Sequence, residues 1–168
     1  MTKIPLILTI VASNSGAGKT TFIEKIIPGL IRRGLKISSV KHAHHDFDID
    51  HEGKDSYRLR KAGSYQTLVM NTRRSALLTE FESEPVTFEA AIKQMDQNVD
   101  LILIEGLKSL NFPKIEVYRS SVSKVRLAEI DSSIIAIVSN ESFSCNKPVF
   151  DINDTDAVEQ FIFNLIKQ

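Results

Sequence analysis

The chain has 168 residues, of which 42% are hydrophobic, and its 21 basic and 21 acidic residues give a formal net charge of zero. This length suits one domain spanning residues 1–168, and the balanced charge argues against a surface that coats nucleic acid or an anionic membrane. The single cysteine, Cys145, excludes an internal disulfide, and without a basic and apolar leader the sequence predicts a cytoplasmic protein.

The first predicted element is a buried strand over Leu6–Val11, which is apolar on both faces. The surrounding apolar run is far shorter than the roughly 20 residues that a membrane-spanning helix needs. A glycine-bearing loop, Ser13–Gly18, follows. Apolar residues then recur at helical spacing over Phe22–Ile31, and this pattern predicts a helix that ends near Gly34. Pro28 lies inside this helix and should kink it or remove one hydrogen bond.

The middle of the chain predicts a second strand, a long polar loop and a short helix, over Ile37–Val40, Lys41–Gly53 and Asp55–Ala62. Two β-rich runs follow, Tyr65–Met70 and Ser75–Thr79. The four polar residues between them are compatible with a hairpin or with two adjacent strands.

The later elements are a helix over 88–95, a doubly buried strand Leu101–Ile104, strands Lys114–Tyr118 and Ser133–Val138, and a closing helix over 158–166. Asp156, with a glutamate three positions on, resembles a capping box for that last helix. The alternation of strands and helices predicts a three-layer α/β fold with a mainly parallel sheet flanked by helices. In such sheets ligands bind at the carboxyl ends of the strands.

The loop after the first strand matches the phosphate-binding pattern G-x-x-x-x-G-K-[ST], except that Ser13 replaces the first glycine. Backbone N–H groups of such a loop and the start of the next helix converge on phosphate oxygens. Lys19 would lie between the β and γ phosphates, and the Thr20 hydroxyl would bind Mg²⁺. A turn without a ligand is the alternative, but it does not explain a GKTT tetrapeptide at this place. The predicted nucleotide-binding residues are Ser15, Gly16, Ala17, Gly18, Lys19, Thr20 and Thr21.

Glu105 directly follows the strand Leu101–Ile104, in the position of a Walker-B acid. There it would bind Mg²⁺ or orient an attacking water, which makes it the catalytic and metal-binding candidate together with Thr20. A structural ion pair with Lys108 is the alternative. The base cannot be read from Asn146-Lys147-Pro148-Val149, which lacks the aspartate of the N-K-x-D motif.

The polar segment Lys41–His51 contains all four histidines and three aspartates within eleven residues. A divalent metal site is chemically possible there, although the spacing matches no defined zinc motif. A solvated polar loop is the alternative. Because the segment leaves the second strand at the edge where the phosphate loop is expected, a functional role is favoured.

Four blocks in this order resemble the MobB family of molybdopterin-guanine dinucleotide biosynthesis adapter proteins. They are S-G-A-G-K-T-T at 15–21, K-H-x-H-H-D-x-D-x-D at 41–50, G-K-D-S-Y-R-L-R-K-A-G at 53–63 and L-I-L-I-E-G-L-K at 101–108. The resemblance covers most of the first 110 residues. A phosphate loop alone would fit many families, whereas the four blocks together are far more specific.

The resemblance implies a homodimeric P-loop protein that binds GTP and Mg²⁺, hydrolyses GTP weakly at most, and assists a MobA-type guanylyltransferase. That partner joins GMP to molybdopterin, so molybdopterin or its guanine dinucleotide is a further expected ligand. Weak hydrolysis would follow if the chain supplies no well-placed arginine. By position, the resemblance adds His42, His45, Asp46 and Asp48 to the expected cofactor-binding residues.

Two other functions use the same phosphate loop. A small-molecule or nucleotide kinase needs an arginine-bearing lid, to which Arg73 and Arg74 would belong. A metallochaperone-type GTPase would bind metal through the histidines, with His44 and His45 as the first candidates.

Overall fold

A computed structural model describes residues 4–43, 47–81 and 85–167. Contacts between residues divide the chain into two compact units, one formed by Met1–His42 and Asp96–Gln168 and the other by Ala43–Met95. The expectation of one domain stays a prediction. Within the described ranges, no helix is long and apolar enough to cross a membrane.

The elements alternate along the chain as the hydrophobic pattern predicts. They are β1 (Leu6–Val11), α1 (Lys19–Arg32), β2 (Ile37–Lys41), α2 (Asp55–Lys61), β3 (Gln66–Met70), β4 (Ser75–Thr79), α3 (Phe88–Lys93), β5 (Leu101–Glu105), β6 (Lys114–Tyr118), a 3-10 helix (Leu127–Glu129), β7 (Ile134–Ser139), β8 (Val149–Asp151) and α4 (Thr155–Lys167). The prediction missed the short strand β8. Pro28 lies inside α1, and the helix continues past it to Arg32.

The first unit is built on a six-stranded sheet in the order β2-β5-β1-β6-β7-β8, and every neighbouring pair is parallel. β1 lies between β5 and β6; the connection from β1 leads past β5 to β2, whereas the connection from β5 leads past β1 to β6. Such a switch point opens a crevice at the carboxyl ends of the strands. The register pairs Ile10 with Glu105 and Lys41 with Glu105, which brings the ends of β2, β5 and β1 to one edge.

Apolar side chains fill both faces of this sheet because β1, β5 and β7 are apolar at successive positions. One cluster, which includes Leu8, Phe22 and Ile162, packs the sheet against α1 and α4. A second cluster, which includes Val11 and Ala128, contains the 3-10 helix and neighbouring loops. The phosphate loop therefore starts from a strand that is buried on both faces.

A close contact joins α1 to α4. An added Cβ at Gly29 would lie 1.9 to 2.0 Å from the carboxylate of Glu159, which is only 3% exposed. Arg33 donates to Glu159 at 2.8 Å and to Asp156 at 2.5 Å. The capping prediction is wrong: Asp156 lies inside the helix, and Asp154 accepts the N–H of Ala157 at 3.2 Å.

The second unit contains α2, α3 and an antiparallel hairpin of β3 and β4, which resolves the two alternatives for these strands. Asn71 accepts the backbone N–H groups of Arg73 and Arg74 at 2.8 Å and thereby shapes the turn. Three large apolar side chains of the hairpin are half exposed or more: Leu68, Met70 and Leu77.

Candidate functional site

The phosphate loop connects the end of β1 to the first turn of α1, as the motif predicts. Gly16 and Gly18 have φ angles of +81° and +95°, which residues with a Cβ rarely adopt. The first helical turn is Lys19-Thr20-Thr21-Phe22, and the N–H of Phe22 closes it on the carbonyl of Gly18 at 2.9 Å. The earlier N–H groups of a helix have no intrahelical acceptor and, with the helix dipole, favour an anion. The loop is thus shaped for phosphate.

Thr20 and Glu105, the two predicted metal ligands, are brought together by the register of the sheet. The Thr20 hydroxyl donates to Glu105 Oε1 at 2.8 Å. Lys41 Nζ donates to the same oxygen at 2.5 Å, from the neighbouring strand β2. Lys108 instead donates to the Ser13 carbonyl at 3.0 Å, so the structural pairing considered for Glu105 is made by Lys41 and not by Lys108.

The charges at this edge affect two pKa values. Burial raises the pKa of Glu105, but hydrogen bonds from Lys41 and Thr20 outweigh it, so the pKa lies below its usual value. Burial lowers the pKa of Lys19; nearby Lys41 and Lys108 lower it further, while Glu105 opposes them. Glu105 is therefore ionised at neutral pH, and Lys19 lies among other cations in a place suited to a polyanion.

The pair of oxygens from Thr20 and Glu105 fits a Mg²⁺ ion. Mg²⁺ takes oxygen ligands at about 2.1 Å in octahedral geometry, so neighbouring ligands lie about 3 Å apart. The observed separation of 2.8 Å is close to that value. Among the described residues, no group of three or more His, Cys, Asp or Glu side chains is placed to bind a metal. The remaining ligands would be phosphate oxygens and water, as is common for Mg²⁺.

The structure also places Arg119 beside the phosphate loop, which the sequence analysis missed. Its Nε donates to the Ala17 carbonyl at 3.0 Å, and its guanidinium lies 3.6 Å from where a Cβ of Gly18 would be. The condition attached to weak hydrolysis, that no arginine is well placed, therefore has to be weighed against this neighbour. A signal was available, because Arg119 directly follows the predicted strand Lys114–Tyr118 and strand ends carry ligand-site residues.

The remaining predicted residues fall into three groups. Ser15, Ala17 and Thr21 lie in the phosphate loop and the first turn of α1, with Ser15 and Thr21 exposed. His42 directly follows β2 in the first unit. His45 and Asp46 lie outside the described residues, as does His44 of the metal alternative.

Asp48 lies in the second unit, where it is bound to an arginine. Arg60 donates to both Asp48 carboxylate oxygens, at 2.7 and 2.9 Å, and also to Asp50 at 3.5 Å and Glu80 at 2.6 Å. The hydrogen bond from Arg60 lowers the pKa of Asp48. The expectation that Asp48 binds a cofactor stays a prediction, and such binding would compete with Arg60.

The arginines assigned to a kinase lid are placed in the turn of the β3–β4 hairpin. Asp151, at the end of β8, accepts the N–H of Asn153 at 2.8 Å, which is a turn interaction. The backbone N–H groups of both arginines and the Asp151 carboxylate are thus used in turns.

A family model described as "Molybdopterin guanine dinucleotide synthesis protein B" matches residues 7–140. The chain is 40% identical over 164 residues to the molybdopterin-guanine dinucleotide biosynthesis adapter protein of Escherichia coli, covering 96% of this chain and 93% of that one. It is 40% identical over 151 residues to the Haemophilus influenzae protein of the same description, covering 89% of this chain and 84% of that one.

Solved structures share the fold. A crystal structure of molybdopterin-guanine biosynthesis protein B superposes with a TM-score of 0.74 at 23% identity, covering 97% of this chain and 100% of that one. The crystal structure of Bacillus subtilis MobB superposes with a TM-score of 0.68 at 25% identity, covering 94% of this chain and 96% of that one. These likenesses confirm the predicted P-loop fold class.

Proposed function

The chain belongs to the MobB family of molybdopterin guanine dinucleotide synthesis proteins, and from this premise we propose that it binds GTP and Mg²⁺ as an adapter. The observation that carries the proposal is the hydrogen bond between Thr20 and Glu105 beside Lys19, at the start of α1. The family and the relatives described as adapters favour this function over a kinase.

Different residues of the chain bind the phosphates, the metal and the attacking water. Backbone N–H groups of residues 15–18 and the first turn of α1 bind the phosphates, with Lys19 between β and γ and Thr21 near α. Thr20 and Glu105 bind the metal directly or through water. Bound Mg²⁺ neutralises phosphate charge. Glu105 also orients a water for weak hydrolysis, which is secondary to the adapter role.

We propose that the partner is a MobA-type guanylyltransferase in the cytoplasm and that molybdopterin or its guanine dinucleotide binds at their junction. The word adapter in the relatives' descriptions supports a protein partner. We further propose that two copies of this chain associate through the β3–β4 hairpin. Isolated two-stranded hairpins are marginally stable, and Leu68 and Met70 are 57% and 69% exposed, so a second copy would cover apolar surface.

The proposal extends to the histidine-aspartate loop, whose members His42, His45, Asp46 and Asp48 we expect to border the nucleotide or the pterin. The support is the block K-H-x-H-H-D-x-D-x-D shared with the family resemblance. A chain shortened by removal of residues 42–51 should lose pterin or partner binding. Normal binding of both by this folded variant would refute the role of the loop.

Calorimetric titration with GTP and with ATP, each with Mg²⁺, tests the central claim. We expect GTP to bind more tightly and its affinity to increase when a MobA-type partner is present. ATP preference without any effect of the partner would contradict the adapter function. Product analysis separates the kinase, because a kinase forms a phosphorylated acceptor in equal amount to the nucleoside diphosphate, whereas the adapter shows only slow hydrolysis.

A further inference from the structure

The segment of residues 119–128 contacts the phosphate loop at three places. Arg119 donates to the Ala17 carbonyl at 3.0 Å. From the loop itself, Asn14 Nδ2 donates to the Val122 carbonyl at 3.1 Å, and the Ser13 hydroxyl donates to the Val125 carbonyl at 2.7 Å. Ser13 is the position where this loop departs from the phosphate-binding pattern, and its side chain and that of Asn14 are both used in these bonds.

The far end of the segment is fixed by a buried acid. Both carboxylate oxygens of Glu116 accept backbone N–H groups, from Leu127 at 2.7 Å and from Ala128 at 2.8 Å. Glu116 is fully buried in β6, next to β1 in the sheet. The segment is therefore fixed to the sheet by Glu116 at one end and by Arg119, which follows β6, at the other.

The Ala17 carbonyl matters because of the peptide that it shares with Gly18. In a planar trans peptide the C=O and the N–H point in opposite directions. Because the Ala17 carbonyl accepts a hydrogen bond from Arg119, the Gly18 N–H of the same peptide points away from the guanidinium. Gly18 has no Cβ and a φ of +95°, so the peptide can rotate at low cost unless a neighbour fixes it.

Resting on the proposed function, we propose that Arg119 is a positioning residue that orients the Ala17–Gly18 peptide so that the Gly18 N–H binds nucleotide phosphate. Ser13 and Asn14 fix the entry to the loop on the same segment. Loss of Arg119 leaves the peptide free to rotate, which removes one charge-assisted donor from the phosphate in part of the population. Hydrogen bonds to charged groups are strong enough that this loss should lower GTP affinity about tenfold.

Selective labelling observes the peptide directly. With ¹³C in alanine carbonyls and ¹⁵N in glycine, only glycines preceded by alanine give a correlation signal, and the sequence contains two, Gly18 and Gly63. Gly63 lies in the second unit and reports that the protein is folded. In the wild-type chain, GTP with Mg²⁺ should move the Gly18 amide signal downfield and leave Gly63 in place.

Arg119→Met should weaken GTP binding about tenfold. At the same fraction of bound GTP, the chemical-shift change of the Gly18 amide should be smaller than in the wild-type chain, and the Gly63 signal should stay where it is. Arg119→Lys, which keeps an N–H donor and the charge, should recover part of both effects. Arg32→Met, at an exposed site on α1, is the matched control and should behave as wild type. A full Gly18 displacement with wild-type affinity in Arg119→Met would overturn the inference while leaving GTP binding intact.

A wild-type Gly18 signal that does not respond to GTP would instead overturn the proposed function and the inference with it. If Arg119→Met does not fold, Asn14→Ala carries the test. It removes the contact with Val122, and we expect about a threefold loss of GTP affinity from one weaker neutral hydrogen bond. Unchanged affinity in that variant would refute the role of the segment.

Discussion

The polar loops after β1 and β2 use their side chains in opposite ways. In the phosphate loop, Ser13 and Asn14 bind carbonyls of a neighbouring segment, and the loop geometry directs the start of α1 toward an anion. In the second loop, Asp48 and Asp50 are paired with Arg60. The comparison teaches that a high density of ligand-type side chains does not by itself identify a site, because Asp48 and Asp50 of the second loop are already bound by an arginine of their own unit.

The largest expected effect is in the first loop. Lys19→Ala should weaken GTP binding about a hundredfold, because a point charge on two phosphates is lost. Folding should not suffer, because burial lowers the pKa of Lys19 and the charged lysine therefore gains nothing from the folded state. Calorimetry measures the GTP affinity and thermal melting measures the stability, with Lys25→Ala at an exposed position as the control. Unchanged GTP affinity would refute the phosphate-loop assignment.

Glu105→Gln should have the next largest effect. The amide cannot neutralise a cation, so the increase in GTP affinity produced by Mg²⁺ should fall about tenfold. Titrations with GTP at several Mg²⁺ concentrations measure this dependence. Exposed Glu89→Gln on α3 is the control. An identical Mg²⁺ dependence in Glu105→Gln would remove Glu105 from the metal site.

Arg60→Met should show that the second region has a structural role. Three carboxylates lose their shared partner, so backbone amides of α2 and of the hairpin should exchange with deuterium about fivefold faster. Arg58→Met on the same helix is the matched control, since Arg58 is 75% exposed with one ion pair at 3.6 Å. A large loss of GTP affinity in Arg60→Met would instead link this cluster to the nucleotide and narrow the difference between the two loops.

The smallest expected effect is a pH dependence. The hydrogen bond from Arg60 lowers the pKa of Asp48 from its ordinary value of 3.8. The resulting stability is complete above pH 3.8 and is lost as the pH falls through the lower folded-state pKa. Amides of α2 should therefore exchange about twofold faster, relative to their intrinsic rates, at pH 3 than at pH 5. This pH difference should disappear in Asp48→Asn; its persistence would assign the effect to another group.

Local patterns in the sequence predicted most of the fold. β1, α1 and β5 follow from apolar spacing, and the GKTT tetrapeptide marks the turn from β1 into α1, whose first residue is Lys19. The last helix shows the limit of such patterns. Asp154 and Asp156 are both acceptable caps by composition; in the structure Asp154 accepts the N–H of Ala157, while Asp156 lies inside the helix and pairs with Arg33 on α1.

The missed part of the site depends on contacts between distant positions. Arg119 is separated from Ala17 by 102 positions, and Glu105 from Lys41 by 64. Both contacts arise from the order of strands in the sheet, which hydrophobic periodicity does not specify. Lys108 is near Glu105 in sequence, but the parallel register places Lys41 beside Glu105 instead.

The contact between Gly29 and Glu159 links two positions that are far apart in the chain. A Cβ at position 29 would overlap the carboxylate at the end of the Glu159 side chain, so a residue other than glycine there requires residue 159 to move or to be shortened. Shortening it leaves Arg33 with Asp156 alone. Positions 29 and 159 are therefore coupled: a redesign of the α1–α4 contact that places alanine at 29 must also accommodate residue 159 and the ion pair that it makes with Arg33.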